Sequence, residues 1–179
     1  GKLIYRGYDI HDLAEKSTFE ETAYLMLHGH LPTKAELGQF DKTLRESRQL
    51  PPAIVDLIGR LQQAHPMDIL RTAVSALSAF ETDVTDVSPE ATLRKGIRLT
   101  AQVPTIVAVH HRLRSRQPII APDQNLSHAG NFLHMFLGKS PELPAGFTDL
   151  GEKKERFEVM TVDPEGIKTF IRKHAPVLS

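Results

Sequence analysis

The stretch AHPMDILRTAVSAL, residues 64–77, predicts the helical character of this chain. Pro66 suits the first position of a helix, because the N–H group that proline lacks would have no partner there. Apolar residues then recur every three or four positions, which is the spacing of one face of an α-helix. The predicted buried face consists of Leu70, Ala73, Val74, Leu77 and Phe80.

The sequence before this stretch repeats the pattern. Ser17 with Glu20, and Thr33 with Glu36, predict capping boxes that start two helices. Gly29 predicts the end of the first of them, because glycine readily adopts the left-handed conformation. Pro52 suits the first turn of a third helix. The three predicted faces are Phe19, Ala23 and Met26 or Leu27; Leu37, Phe40 and Leu44; and Val55, Ile58 and Leu61 or Gln62.

The sequence after residue 77 adds a loop and two more helices. Residues 81–89, ETDVTDVSP, are acidic and rich in turn formers, which predicts an exposed loop. Ser88 and Pro89 then predict the start of a long helix, interrupted and kinked at Pro104. A proline-rich connection leads to a helix that Ser127 caps and that ends near Gly138.

The first ten residues differ from the rest. GKLIYRGYDI places apolar residues around Gly7 and predicts a short strand or hairpin arm. The sequence therefore predicts a mainly α, multi-helix fold with a short β element at its N-terminus.

Composition restricts the class of protein. The 22 basic and 22 acidic residues among 179 give no net charge, which argues against a nucleic-acid or membrane-surface partner. The chain has no cysteine, so disulfides, a thiol nucleophile and a cysteine-ligated zinc site are excluded. No apolar run approaches the roughly 20 residues of a membrane span, and no signal peptide is evident. We expect a cytoplasmic protein, and the absence of an initial methionine predicts that the chain begins inside a longer one.

Few motifs for chemistry stand out. No glycine-rich phosphate loop or G-x-S-x-G motif occurs, and the nine histidines lack the spacing of metal ligands. Arginine forks suit phosphate, although runs of charge are more often solvated helix faces. Two groups of basic residues can be interpreted either as a phosphate site or as a solvated helix face: Arg94, Lys95 and Arg98; and Arg112, Arg114 and Arg116. Arg6, between two tyrosines and beside a glycine, is either a functional or an ordinary surface residue.

His65 precedes Pro66 at the entrance of a predicted helix. It is either an acid, a base or an oxyanion donor, or a structural residue at a bend. No nucleophile lies beside it, and Asp68 suits the first turn of a helix through the helix dipole.

A set of motifs in order supports a resemblance. LIYRGYDIHDLAEKSTFEETAYLMLHGHLPT, HPMDILRTAVSAL, PTIVAVHHRLR and NLSHAGNFLHMFLG follow one another with consistent spacing. Together they resemble the amino-terminal part of the large domain of the citrate synthase family, including its 2-methylcitrate synthase branch, over residues 1–142. The resemblance implies a nearly all-α large domain that forms homodimers. It also implies a transferase of the tricarboxylic acid cycle that condenses acetyl-CoA, or propionyl-CoA, with oxaloacetate, without a metal or prosthetic group.

The resemblance also bears on individual residues. The family's catalytic histidines and aspartate belong to later motifs that do not occur here, so we expect no catalytic residue in this chain. His65 lies in the family's H-P-M signature and is interpreted as structural. Arg6, and Arg94 or Lys95, match positions that the resemblance implies are contacts for coenzyme A phosphates.

Residues 143–179 have no counterpart in the resemblance. DPEGIKTFIRKHA, residues 163–175, predicts a short helix, and the segment is a fused, frameshifted, truncated, disordered or genuine replacement sequence. We expect a synthase fragment that is inactive alone and that associates through exposed apolar surface. The alternatives are a 2-methylcitrate synthase fragment, a non-catalytic partner or regulatory subunit of a synthase, and an unrelated helical domain.

Overall fold

The computed structural model describes residues 3–138 of the chain. The boundary at residue 142, the segment 143–179 and its predicted short helix lie outside this range. The described part contains a hairpin, seven α-helices and one short 3₁₀ helix, which confirms the mainly α prediction with its N-terminal β element. These elements are β1 (Ile4–Tyr5), β2 (Tyr8–Asp9), α1 (Ile10–Lys16), α2 (Phe19–His28), α3 (Lys34–Glu46), α4 (Pro52–Arg60), α5 (Pro66–Leu77), the 3₁₀ helix (Ser78–Phe80), α6 (Pro89–Arg114) and α7 (His128–Leu137).

The described residues fall into two compact units, residues 3–37 and residues 38–138. The first begins with the antiparallel hairpin, in which Tyr5 pairs with Tyr8. Its turn is Arg6 and Gly7, with φ angles of 49° and 91°. Two consecutive positive φ angles are typical of a tight hairpin turn, which explains the glycine at the second position.

The first capping box lies one residue later than predicted. Thr18, not Ser17, caps α2: its hydroxyl accepts from the Glu21 N–H, and the Glu21 carboxylate accepts from the Thr18 N–H. Ser17 instead closes α1, where its hydroxyl donates to the Leu13 carbonyl at 2.7 Å. The Ser17–Glu20 prediction is therefore wrong, because a helix that was not predicted, α1, ends at Lys16 and takes Ser17 as its C-terminal cap.

The buried face of α2 also differs from the prediction. Tyr24 and Leu25 are buried, whereas Phe19 is 46% exposed and Met26 is exposed. The other signals hold: Gly29 ends α2 in the left-handed conformation, with φ 87°. The second box is confirmed too, because Thr33 and Glu36 exchange hydrogen bonds at the start of α3.

The core of the second unit lies among α4, α5 and α6. Its buried residues are Leu50, Ile54, Ile58, Ile69, Ala73, Leu77, Ile106 and Val109. Ala73, Leu77 and Ile58 are buried as predicted. Ile69 and Ile54 are also buried in this core, although the predicted faces did not include them. Leu70 and Val74 are therefore only partly buried, and Phe80 is 48% exposed. One residue corresponds to about 100° of rotation on a helix, so the predicted faces were turned toward the edge of the true ones.

Helix α6 organises this unit. Ser88 caps it and Pro89 opens it as predicted, but it continues through Pro104 without a break. The Gln102 amide donates to the Gln49 carbonyl at 3.0 Å, just before α4 begins. His110 binds the Gln62 carbonyl beyond the other end of α4 at 3.1 Å. Side chains of α6 therefore fix the backbone at both ends of α4.

Helix α7 matches its predicted limits. The Ser127 hydroxyl accepts from the Gly130 N–H at 3.1 Å, and Gly138 closes the helix at φ 76°. Within residues 3–138, no helix is long and apolar enough to span a membrane.

Candidate functional site

His65 caps helix α5. Its Nδ1 accepts a hydrogen bond from the Met67 N–H at 3.2 Å, so this nitrogen carries no proton in the capping arrangement. The ring thereby satisfies one of the backbone donors left without a partner at a helix start. The nearest carboxylate in the sequence, Asp68, pairs with Arg71 at 2.8 Å. The contacts of His65 are those of a structural residue.

Three other histidines also serve the fold. His28 stacks on Tyr24 with ring centroids 3.9 Å apart, and His111 stacks on Phe136 at 3.8 Å. Burial is the main reason that the pKa values of His28, His110 and His111 lie below the ordinary value of 6.5. These rings are therefore neutral near pH 7, and each contacts an aromatic ring or a backbone carbonyl.

The described residues do not assemble a metal centre. No group of three or more histidine, aspartate or glutamate side chains in residues 3–138 is placed to hold a metal ion. Two surface cavities of about 430 and 350 Å³ lie in the second unit, and no histidine is among the described residues that line them.

The first predicted basic group is brought together on helix α6, and the acidic loop lies against it. The Lys95 ammonium donates to the carbonyls of Asp83 at 2.6 Å, Asp86 at 2.7 Å and Val84 at 3.4 Å. An ammonium has three N–H donors, so this set can occupy all of them. Lys95 is therefore held by the backbone of the loop.

The two arginines of this group pair with carboxylates. Arg94 binds the Asp83 carboxylate at 2.8 Å, and Arg98 pairs with Glu81. The hydrogen bond from Arg94 is the first reason that the pKa of Asp83 is lowered, with the charge of Lys95 also contributing. Asp83 therefore stays ionised well below neutral pH.

The acidic loop and the basic group were predicted as separate features of the sequence. Residues 81–87 form a turn-rich and mostly exposed loop, as predicted. Glu81 and Asp83 are the exceptions to the predicted exposure, because they are partly buried against α6. A signal was available, since residues 81–98 contain matching charges: Glu81, Asp83, Asp86 and Glu90 against Arg94, Lys95 and Arg98. Opposite charges a dozen residues apart, with a helix start between them, are close enough to fold back on one another.

Arg6 lies in the other unit, at the hairpin turn. Its side chain is exposed, and its guanidinium donates to the Met26 carbonyl at 3.1 Å. A guanidinium has five donors, so this contact leaves capacity for an anion. The structure thus places Arg6 at an accessible position in the first unit, and it places Arg94 and Lys95 side by side on α6 in the second.

The second predicted basic group is dispersed. Arg112 is only 6% exposed and donates from Nε to the Pro118 carbonyl at 2.8 Å. Arg114 reaches the Ala64 carbonyl at 3.4 Å, and Arg116 lies beyond the helix with φ 54°. The three arginines therefore form neither a shared phosphate site nor a solvated helix face, because Arg112 is buried in the protein interior.

Comparisons with known proteins identify similar chains. The family model described as "Citrate synthase, C-terminal domain" matches residues 1–150. The 2-methylcitrate synthase of Mycobacterium tuberculosis is 44% identical over 141 residues, covering 78% of this chain and 35% of that protein. The citrate synthase of Haloferax volcanii is 43% identical over 148 residues, covering 79% of this chain and 38% of that protein.

Solved structures agree with these matches. Citrate synthase from Pyrobaculum aerophilum superposes with a TM-score of 0.75 at 40% identity, covering 80% of this chain and 38% of that one. Citrate synthase from Thermoplasma acidophilum, solved with carboxymethyl coenzyme A and oxaloacetate, superposes with a TM-score of 0.73 at 26% identity, covering 78% of this chain and 37% of that one. The chain thus spans well under half the length of the proteins that it matches.

Proposed function

Since this chain belongs to the citrate synthase family, we propose that it forms part of an acyltransferase that condenses an acyl-CoA with oxaloacetate. The observation that carries the proposal is the 43% identity to Haloferax volcanii citrate synthase over 148 residues. The Thermoplasma acidophilum relative, whose structure contains a coenzyme A analogue and oxaloacetate, supports the same pair of substrates.

The proposed contribution of residues 3–138 is structural. His28 and His111 stack on aromatic rings, His65 caps α5, and His110 binds the Gln62 carbonyl, so the contacts of these four rings stabilise helices. Condensation requires groups that remove a proton from the acyl-CoA and stabilise the enolate, and such groups provide most of the rate enhancement. We therefore propose that the reacting groups come from elsewhere and that the chain is inactive alone.

The acyl donor is acetyl-CoA or propionyl-CoA. Similar proteins carry both names, with 44% identity to a 2-methylcitrate synthase and 43% to a citrate synthase. One additional methylene in a substrate pocket changes specificity by only about 1–3 kcal/mol, so a few pocket residues decide it.

The resemblance to the family also suggests ligand contacts, an assembly and a location for this chain. Arg6, and Arg94 of the two alternatives Arg94 and Lys95, are proposed to contact the phosphates of coenzyme A, because guanidinium groups suit phosphate oxygens. Lys95 is the weaker alternative, since three backbone carbonyls of the loop accept from its ammonium. Exposed apolar side chains support assembly into a homodimer or with a synthase partner. In the first unit these are Leu3, Ile4, Tyr8, Phe19, Met26 and Leu31. A cytoplasmic location and a role in the tricarboxylic acid cycle follow from the proposed activity.

A thiol-release assay tests the proposal. The purified chain is incubated with oxaloacetate and either acetyl-CoA or propionyl-CoA, and the Haloferax volcanii enzyme serves as the positive control. We expect no release of coenzyme A above the rate without protein. Turnover by the purified chain, reproduced in independent preparations, would show that the catalytic groups are present within it.

A further inference from the structure

The acidic loop occupies the charged groups that a phosphate would need. Three backbone carbonyls surround the Lys95 ammonium, and the carboxylates of Asp83 and Glu81 pair with Arg94 and Arg98. The basic face is therefore neutralised by the loop that precedes its own helix.

The two kinds of contact differ in how readily they exchange. The carbonyls that hold Lys95 are fixed by the backbone, and the Asp83 carbonyl also accepts from the Asp86 N–H at 3.0 Å. The carboxylates reach partly exposed guanidiniums, since the side chains of Arg94 and Arg98 are 56% and 38% exposed. Exposed ion pairs contribute little stability, so another anion can replace a carboxylate there.

We propose that residues 81–88 form an autoinhibitory latch, in which Asp83 and Glu81 compete with a phosphate-bearing ligand for Arg94 and Arg98. In the latched state the Asp83 carboxylate accepts from Nη2 of Arg94, and the Glu81 carboxylate accepts from Nη1 of Arg98. When the ligand binds, its phosphate oxygens replace the carboxylate on Arg94, while the carbonyls around Lys95 keep the loop attached. Arginine binds phosphate through two parallel hydrogen bonds, which favours this exchange.

The latch rests on the proposed contact between Arg94 and coenzyme A phosphate, and it adds regulation to that contact. It predicts that removing the competing carboxylate tightens binding. Because Asp83→Asn keeps the backbone carbonyls that hold Lys95, the loop remains attached in the variant. The affinity gain should be about two- to fivefold, the range expected from one partly exposed ion pair.

Titration calorimetry at low ionic strength tests the latch with the full chain. The probes are coenzyme A and inorganic pyrophosphate, and the variants are Asp83→Asn, Arg94→Gln and Glu90→Gln. Glu90 is the matched control, because it is an exposed carboxylate in the first turn of the same helix. We expect Asp83→Asn to bind both probes about two- to fivefold more tightly, Glu90→Gln to change little, and Arg94→Gln to bind more weakly.

The outcomes separate the latch from the function on which it rests. If Arg94→Gln weakens binding but Asp83→Asn behaves like Glu90→Gln, the coenzyme A contact stands and the latch is wrong. If Asp83→Asn gains affinity only for pyrophosphate and no variant binds coenzyme A, the latch stands and the coenzyme A contact is wrong. If no variant binds either probe, both are wrong.

Discussion

The left-handed glycines at the ends of two helices allow a controlled prediction. Gly29 closes α2 with φ 87° and Gly138 closes α7 with φ 76°. A Cβ added at Gly29 would meet nothing within 4 Å. At Gly138 it would lie 2.9 Å from Cζ of Arg112 and closer still to Nη1 of the same side chain.

The two substitutions to alanine should therefore differ in cost. Both require alanine in the left-handed region, at a cost of about 1 kcal/mol. Gly138→Ala must also displace the buried guanidinium of Arg112, and such overpacking typically costs about 1–3 kcal/mol. The expected loss of stability is about 1 kcal/mol for Gly29→Ala and about 2–4 kcal/mol for Gly138→Ala.

Urea unfolding followed by far-ultraviolet circular dichroism measures both losses. Gly29→Ala is the control, because it isolates the backbone cost without a steric clash. Equal losses for the two variants, or a larger loss for Gly29→Ala, would refute the packing of Arg112 against the end of α7.

Three further changes test other contacts. Thr18→Ala removes the capping box of α2 and should lower stability by about 1 kcal/mol in urea unfolding; an unchanged midpoint would contradict the assigned helix start. Thr105→Val removes the donor to the buried Arg48 carbonyl and should cost about 1–3 kcal/mol, whereas a loss below the error of the same measurement would contradict it. Because partial burial depresses the pKa of His111 below 6.5, the unfolded chain binds protons more readily, so the free energy of unfolding should fall from pH 7.5 to 5.5. His111→Phe should flatten this pH dependence, and an equally steep dependence in the variant would contradict the half-buried stack of His111 on Phe136.

Local signals with a direct backbone cause were sufficient to predict most helix ends. Four such residues lie at the helix ends where they were predicted. Two serines accept hydrogen bonds from backbone N–H groups at helix starts, and two glycines adopt the left-handed conformation at helix ends: Ser88, Ser127, Gly29 and Gly138. Helix α1 was missed because seven residues are too few to display a sustained apolar period.

The direction of each buried face was harder to predict. Residues 69 and 70 are both apolar, and the sequence does not say which one faces the core. The structure buries Ile69 because it contacts the cluster formed with α4 and α6. Such a choice depends on tertiary packing, which the periodicity of a single helix cannot define.

In the candidate site, too, the residues could be predicted from the sequence but their packing could not. The sequence identified Arg94, Lys95 and the acidic loop, but it did not indicate that backbone carbonyls hold Lys95. Carbonyls occur at every residue, so their convergence on one ammonium carries no sequence signature. The family resemblance suggested coenzyme A as the ligand of Arg94, and only the fold showed that the Asp83 carboxylate already contacts this arginine.

A chimaeric enzyme tests the central claim most directly, namely that this chain supplies the scaffold of a synthase and not its reacting groups. Residues 1–142 of this chain would replace the aligned segment of Haloferax volcanii citrate synthase, which is 43% identical over 148 residues. We expect the purified chimaera to release coenzyme A from acetyl-CoA in the presence of oxaloacetate, since its catalytic groups come from the recipient enzyme. A chimaera that folds, by circular dichroism and light scattering, but shows no turnover would contradict the claim.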